Sequence, residues 1–186
     1  MVNITNFSTQ ADEPEGILYR LRNEEDIYNM ISFIRFGSAD RGRPLYFNYR
    51  GFIYAKTPNE LAQEMLYYQK MYRKTAGVRI RGEFVVITKD ELTDPSPRQQ
   101  ICMIADRFSD YFFYNGFQCV YGIFDHGFMY EIIYGINSTS FADGHKYHHN
   151  NTDIRDMQLN ILNSILSEIT GKVLEQPFNF QRLEQA

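Results

Sequence analysis

At 186 residues, with a formal net charge of −4 and 44% apolar against 23% charged residues, the chain suits one soluble domain with its own core. That charge argues against a globally basic nucleic-acid binder, and no apolar run approaches the roughly 20 residues of a membrane span. The start, MVNITNFSTQADEPEG, lacks the basic and apolar regions of a secretion signal, so a cytoplasmic location without a membrane partner is expected.

In chain order, residues 1–16 are expected to be flexible, residues 17–172 to form an α+β domain and residues 173–186 to be a tail. ILYRLR (17–22) reads as a first strand. Asn23 then offers an N-cap to a helix with an acidic first turn, running to about Phe36 with Ile27, Met30, Ile31 and Ile34 on one side. A loop from Gly37 to Pro44 precedes LYFNYRGFIYAK, which holds a strand. Thr57-Pro58-Asn59-Glu60 supplies a cap, a proline at the first helical position and a glutamate three residues after the cap; the helix runs to about Lys74.

Phe84–Thr88 is an unbroken apolar run, suited to the middle of a sheet. Ser96-Pro97-Arg98-Gln99 repeats the cap-proline-box pattern and opens a helix closed by Asn115-Gly116. FQCVYGIF (117–124) and FMYEIIYGI (128–136) are strands joined by so few residues that they form an antiparallel hairpin. A last helix spans about Thr152 to Thr170, with Ile154, Met157, Ile161, Ile165 and Leu166 along one side. The expected fold class is α+β, an antiparallel-rich sheet of about five strands with helices packed mainly on one face. Cys102 and Cys119 sit in apolar company and are expected to be free thiols.

Charge is spread unevenly. Residues 1–82 carry 12 Lys and Arg against 9 Asp and Glu, whereas residues 83–186 carry 7 against 14. Between Arg41 and Arg81 nine basic residues face only Glu60 and Glu64, with Tyr46, Phe47, Tyr49, Phe52, Tyr54, Tyr67, Tyr68 and Tyr72 interleaved. Cations that neutralise phosphates beside ring faces that stack on bases suit a single-strand groove; the competing reading is a solvated helix face over an aromatic core. The binding candidates are Lys70, Arg73, Lys74, Arg79 and Arg81, with Tyr68 and Tyr72 for stacking.

His126, His145, His148 and His149, with Asp125, Asp143 and Asp153 nearby, are weak metal candidates. A solvated polar loop is the simpler reading, because His148 and His149 point to opposite faces of an extended chain. Glu83, Asp90 and Glu91 suggest paired carboxylates less than a solvated turn. Glu131, flanked by Tyr130, Ile132 and Ile133, either faces solvent, the favoured reading, or needs a buried donor such as an arginine. Gly135 in mid-strand points to a bulge or a close backbone approach.

Several blocks, in order, resemble the mobilisation relaxases, HUH-type enzymes that nick one DNA strand and stay attached to it. YNMISFIRF is similar to their helix-borne tyrosine motif, and NELAQEMLYYQKMYRKTAGVRIRGEFVVITKDEL to the helix and strand before their H-x-x-x-S-F segment. FQCVYGIF and YEIIYGINSTSFADGHKYH resemble their metal-site strands and N-x-V-x-F-x-x-G-x-K loop. The resemblance covers about residues 17 to 150. It implies that Phe33 stands at the tyrosine nucleophile, Phe124 at the first metal histidine, Glu131 and Ile133 at the following H-x-H pair, and a position near Glu83 at an upstream histidine. None of these side chains supplies an imidazole or a phenol, so no catalytic residue and no cofactor are expected.

The resemblance therefore implies a non-catalytic, relaxase-like protein of a mobile genetic element that binds single-stranded or origin DNA or assists mobilisation. One alternative is an interaction module that self-associates or holds another mobilisation protein through an apolar old cleft at Phe124 and Ile133. Another is an active metal-dependent nickase rebuilt around the histidine loop.

Overall fold

The computed structural model describes residues 2–6, 21–93, 96–147 and 152–172. Its strands are β1 (Val2–Asn6), β2 (Tyr46–Arg50), β3 (Ile80–Thr88), β4 (Cys119–Asp125) and β5 (Met129–Asn137). Its helices are α1 (Glu24–Phe36), α2 (Pro58–Met71), α3 (Pro97–Tyr114) and α4 (Thr152–Thr170).

The helix starts follow their local signals. Asp26 Oδ2 accepts the N–H groups of Arg22 and Asn23, both at 2.7 Å, so the acidic first turn of α1 folds back over its own cap. At α2, Glu60 N donates to Thr57 Oγ1 at 3.3 Å and Thr57 N to Glu60 Oε2 at 2.8 Å, a complete capping box with Pro58 at the first position. α3 begins after Ser96 with Pro97, but the Ser96 side chain makes no capping bond. In α4 the buried stripe is Gln158, Leu159, Leu162 and Leu166, with Met157 exposed. The expected stripe through Met157 is about a quarter turn off, because the glutamine turns inward to meet a buried partner.

The sheet is antiparallel throughout. Its body is four strands in the order β3-β5-β4-β2, and β1 pairs along the outer edge of β3. Within the segment 1–16, Val2–Asn6 pair with Glu83–Ile87, and backbone groups on the open edge of β3 gain partners that way. Of the expected first strand, residues 17–20 lie outside the described residues, and Leu21 and Arg22 form a turn. Residues 7–16 and the expected tail, 173–186, also lie outside them.

Helices cover both faces, not mainly one. Strand alternation puts Ile80, Phe84, Val120, Phe124 and Ile133 in one core with α1 and α2. Val85, Ile87, Tyr121, Ile123, Ile132 and Tyr134 form the other core with α3 and α4. The reason lies in β4 and β5, which are buried at nearly every position. Strands that are apolar on both faces need a helical layer on each.

α1 approaches the sheet over Gly82, Gly122 and Gly135, where Gly82 pairs with Gly135 across β3 and β5. A Cβ on Gly122 would lie 2.7 Å from the Ile34 carbonyl oxygen, whereas one on Gly135 would lie 2.9 Å from the Ile34 Cδ1 methyl. Gly135 thus marks a close approach. Gly122→Ala is expected to cost about 1–3 kcal/mol in urea unfolding because helix backbone must move. Gly135→Ala is expected to cost less, since one methyl swings aside; equal costs would contradict this packing.

The edge strand β2 is tied to α3 through Asp106, whose carboxylate accepts from Tyr121 Oη at 2.6 Å and from Tyr46 Oη at 3.1 Å. Tyr49 N donates to Asn48 Oδ1 at 2.9 Å, so this edge uses its own side chains to occupy backbone groups. Among the described residues no helix is long and apolar enough to cross a membrane.

Candidate functional site

The β4–β5 hairpin sets the first candidate site. Phe124 lies opposite Glu131, and both share a sheet face with Ile133. Helix α1 brings Phe33 onto Phe124, their rings stacked with centroids 6.0 Å apart. Phe124 and Ile133 are fully buried, which rules out the exposed apolar cleft at these two positions.

Glu131 is buried as well, correcting the favoured expectation that it faces solvent. Its Oε2 accepts from Arg41 Nη1 and lies 3.0 Å from His126 Nε2. The Arg41 guanidinium also sits 5.8 Å from the Phe33 ring centroid and 5.7 Å from that of Phe84. A closed ion cluster under aromatic rings therefore occupies the place where Phe33, Phe124 and Glu131 converge.

Arg41 stands on the loop after α1. Gly37 begins that loop at φ +76°, ψ −161°, a conformation open essentially to glycine alone. A Cβ there would lie 1.7 Å from Gly42 O, so the narrow turn that aims Arg41 depends on this glycine. Sequence reading counted Arg41 only as part of a basic stretch. A loop arginine has no periodicity, and its partner lies 90 residues away.

Glu83 does not join this cluster. Strand parity turns it to the α3–α4 face, where it is buried and accepts from Tyr147 Oη, with Gln158 Nε2 donating to the same phenol oxygen at 2.7 Å. Burial, and then the Glu83 carboxylate, hold the Tyr147 phenol well above its ordinary pKa. Asp90 and Glu91 lie in a short turn, Lys89–Glu91, where Glu91 Oε2 accepts from Thr88 N at 3.1 Å.

The histidines are also dispersed. His126 belongs to the hairpin turn, whereas His145 packs on Phe117 before β4, with ring centroids 4.9 Å apart. The length of β4 between them is roughly 20 Å. His145 Nδ1 is paired with Asp143 Oδ1 in the exposed loop. Among the described residues no group of three or more His, Cys, Asp or Glu is placed to hold a metal ion; His148 and His149 lie outside them, as does the Asp153 side chain.

The loop after β5 is an architectural clamp. Buried Asn137 Nδ2 donates to Gln118 Oε1 at 2.9 Å and to Met65 O at 3.2 Å. Its Oδ1 accepts from Gln69 Nε2 at 2.8 Å and Thr139 N at 3.2 Å. The network continues through Gln118 Nε2 to Glu64 Oε1 at 3.1 Å and through Gln69 Oε1 to Arg79 Nε at 2.5 Å. Gly144 lies so close under Tyr72 that a Cβ would come within 2.3 Å of its Cγ. Lys146 Nζ donates to Lys74 O at 2.9 Å, and burial with Arg79, Lys74 and Arg81 nearby lowers its pKa to about 8.

These contacts redistribute the nucleic-acid candidates. Arg79 is buried, bonded to Gln69 and to Thr75 O at 2.7 Å, with Glu24 3.5 Å away; its guanidinium braces α1 and α2 and is withdrawn from solvent. Arg81 is half-buried on the other face, where burial lowers its pKa. The Tyr72 hydroxyl donates to Ala142 O at 3.1 Å. Lys70, Arg73 and Lys74 remain exposed around the end of α2, Lys70 with Glu24 at 3.3 Å. Arg73 takes the left-handed position, φ +55°, that usually falls to glycine after a helix.

Tyr68 belongs to a chain of rings that sequence reading did not assemble. Successive centroid distances are 5.4 Å for Tyr67–Tyr68, 6.1 Å for Tyr68–Phe141, 5.9 Å for Phe141–Phe113 and 5.6 Å for Phe113–Tyr114. The end members Tyr67 and Tyr114 are 60% and 81% exposed. One helix end, one loop and another helix end supply these rings, so no single window of sequence contains the pattern. Comparison of the chain with family models, curated proteins and solved structures gives no match.

Proposed function

We propose that this protein is a non-catalytic, relaxase-like module of a mobile genetic element that binds single-stranded nucleic acid. The observation that carries the reading is the five-ring chain, with exposed ends, beside Lys70, Arg73 and Lys74. Ring faces stack on bases of any sequence, and neighbouring cations neutralise the backbone. Burial is the main cause of the lowered pKa of Lys146, and the neighbouring cations Arg79, Lys74 and Arg81 lower it further, which adds positive potential at this corner. The Phe33–Phe124 stack and the Arg41–Glu131–His126 cluster support the non-catalytic half of the reading: a carboxylate already held by a guanidinium is a poor ligand for a divalent ion.

Fluorescence anisotropy with a labelled oligonucleotide of about 16 nucleotides tests the reading. Single strand is expected to bind more tightly than duplex, with affinity falling as salt rises. The double variant Tyr67→Ala/Tyr114→Ala is expected to weaken binding at least about tenfold. K70E/R73E/K74E is expected to flatten the salt slope by about 2. Unchanged affinity at low salt in both variants would remove the binding surface. A covalent protein–oligonucleotide adduct formed with manganese would remove the non-catalytic half.

A second reading is favoured by Phe36 and Phe128, 60% and 69% exposed, Phe36 five residues before Arg41 and Phe128 two after His126. An apolar rim there suits self-association or a protein partner. Sedimentation that shows a dimer lost on Phe128→Ser, with no strand binding, would select it.

A further inference from the structure

Beyond the last residue of β2, an open trough of 520 Å³ joins the two helical layers. It is lined by the Tyr49–Phe52 ring pair, with centroids 5.7 Å apart, and by the Phe113–Phe141 pair at the middle of the ring chain. Two charged groups share the lining. Arg50 Nε donates to Asp110 Oδ1 at 3.2 Å, and the two side chains are 31% and 41% exposed. Arg50 is fixed further by Nη1, which donates to Tyr49 O at 3.3 Å, and by Nη2, 4.0 Å from Asp106. Asp110 Oδ2 takes part in no hydrogen bond among the described residues.

We propose that this trough is a nucleobase site selective for guanine, read by Asp110 and Arg50 between aromatic walls. The inference rests on the single-strand reading for its context and deepens it by naming the base. Guanine alone among the bases carries two adjacent donors, N1–H and the 2-amino group, next to an acceptor, O6. A carboxylate accepts both donors, and an adjoining guanidinium donates to the acceptor. Adenine presents N1 as an acceptor toward the same carboxylate and leaves it unpaired. Thymine offers one donor between two acceptors, and cytosine sets an acceptor beside its amino group. The flanking rings supply stacking for whichever base enters, so the charged pair sets the preference.

The same chemistry suits a base within a strand and a free nucleotide, and two titrations separate them. Oligothymidine strands carrying one central guanine, hypoxanthine or adenine are compared by anisotropy, and guanosine and adenosine monophosphates are compared by calorimetry. Guanine is expected to bind at least about tenfold more tightly than adenine, with hypoxanthine, which lacks the 2-amino group, between them. Asp110→Asn is expected to bring the guanine-to-adenine ratio close to one, with the variant's thermal unfolding recorded alongside. Strands that bind without regard to the central base would overturn the inference and leave the single-strand reading standing. Guanosine monophosphate bound while no strand binds would do the reverse, and a protein indifferent to both removes both.

Discussion

Asn137→Ala is expected to lower the unfolding free energy by about 3–5 kcal/mol, the largest loss expected of any alanine substitution considered for this chain. The Asn137 side chain makes two donor and two acceptor bonds where nothing is exposed. Alanine leaves the amides of Gln69 and Gln118, the Thr139 N–H and the Met65 carbonyl short of a partner. Each buried unsatisfied group costs about 1–3 kcal/mol, and re-pairing recovers part of that. Asn137→Asp should cost at least as much as alanine, since it buries a carboxylate and sets its second oxygen against the Gln118 Oε1 and Met65 carbonyl acceptors. Urea unfolding followed by circular dichroism measures both, and a loss under about 1 kcal/mol for alanine would show that the network is dispensable.

Arg41→Ala is expected to cost about 3 kcal/mol, because it leaves the Glu131 carboxylate buried with only His126 beside it. Removal of the partners together is a different matter. Arg41→Met/Glu131→Leu should stay within about 1 kcal/mol of wild type, since apolar groups of similar size suit the surrounding Phe33, Phe84 and Phe124 rings. A double-mutant cycle by chemical denaturation gives the coupling; additive costs would mean that Arg41 and Glu131 act independently. Neither variant should alter strand affinity. The ion cluster lies near the start of β5 and the ring chain near its end, roughly 20 Å apart.

Legibility followed the range of each interaction. The cap at Asn23 and the apolar spacing of Ile27, Met30, Ile31 and Ile34 gave α1 to the residue, and Thr57-Pro58 gave the start of α2. The hairpin was legible because three residues between two apolar runs permit one pairing only. The second helical layer was missed although its signal was present: β4 and β5 lack the polar alternation of a sheet with one wet face. The Gln158 contact that turns α4 and the fate of Arg79 had no local signal at all. A cation in a basic stretch looks the same in sequence whether it meets water or Gln69.

Chain order by itself determined the helix starts, the hairpin and the parity that sets Phe124, Glu131 and Ile133 on one face, because these depend on residues a few positions apart; α2 ends at Met71, short of the expected Lys74. Only the tertiary structure decided that Arg41 closes on Glu131, that Glu83 turns to the opposite face from that cluster, and that rings from positions 67, 68, 113, 114 and 141 touch. Those contacts join segments tens of residues apart, and their partners are selected by packing of whole layers, for which a local sequence pattern holds no information.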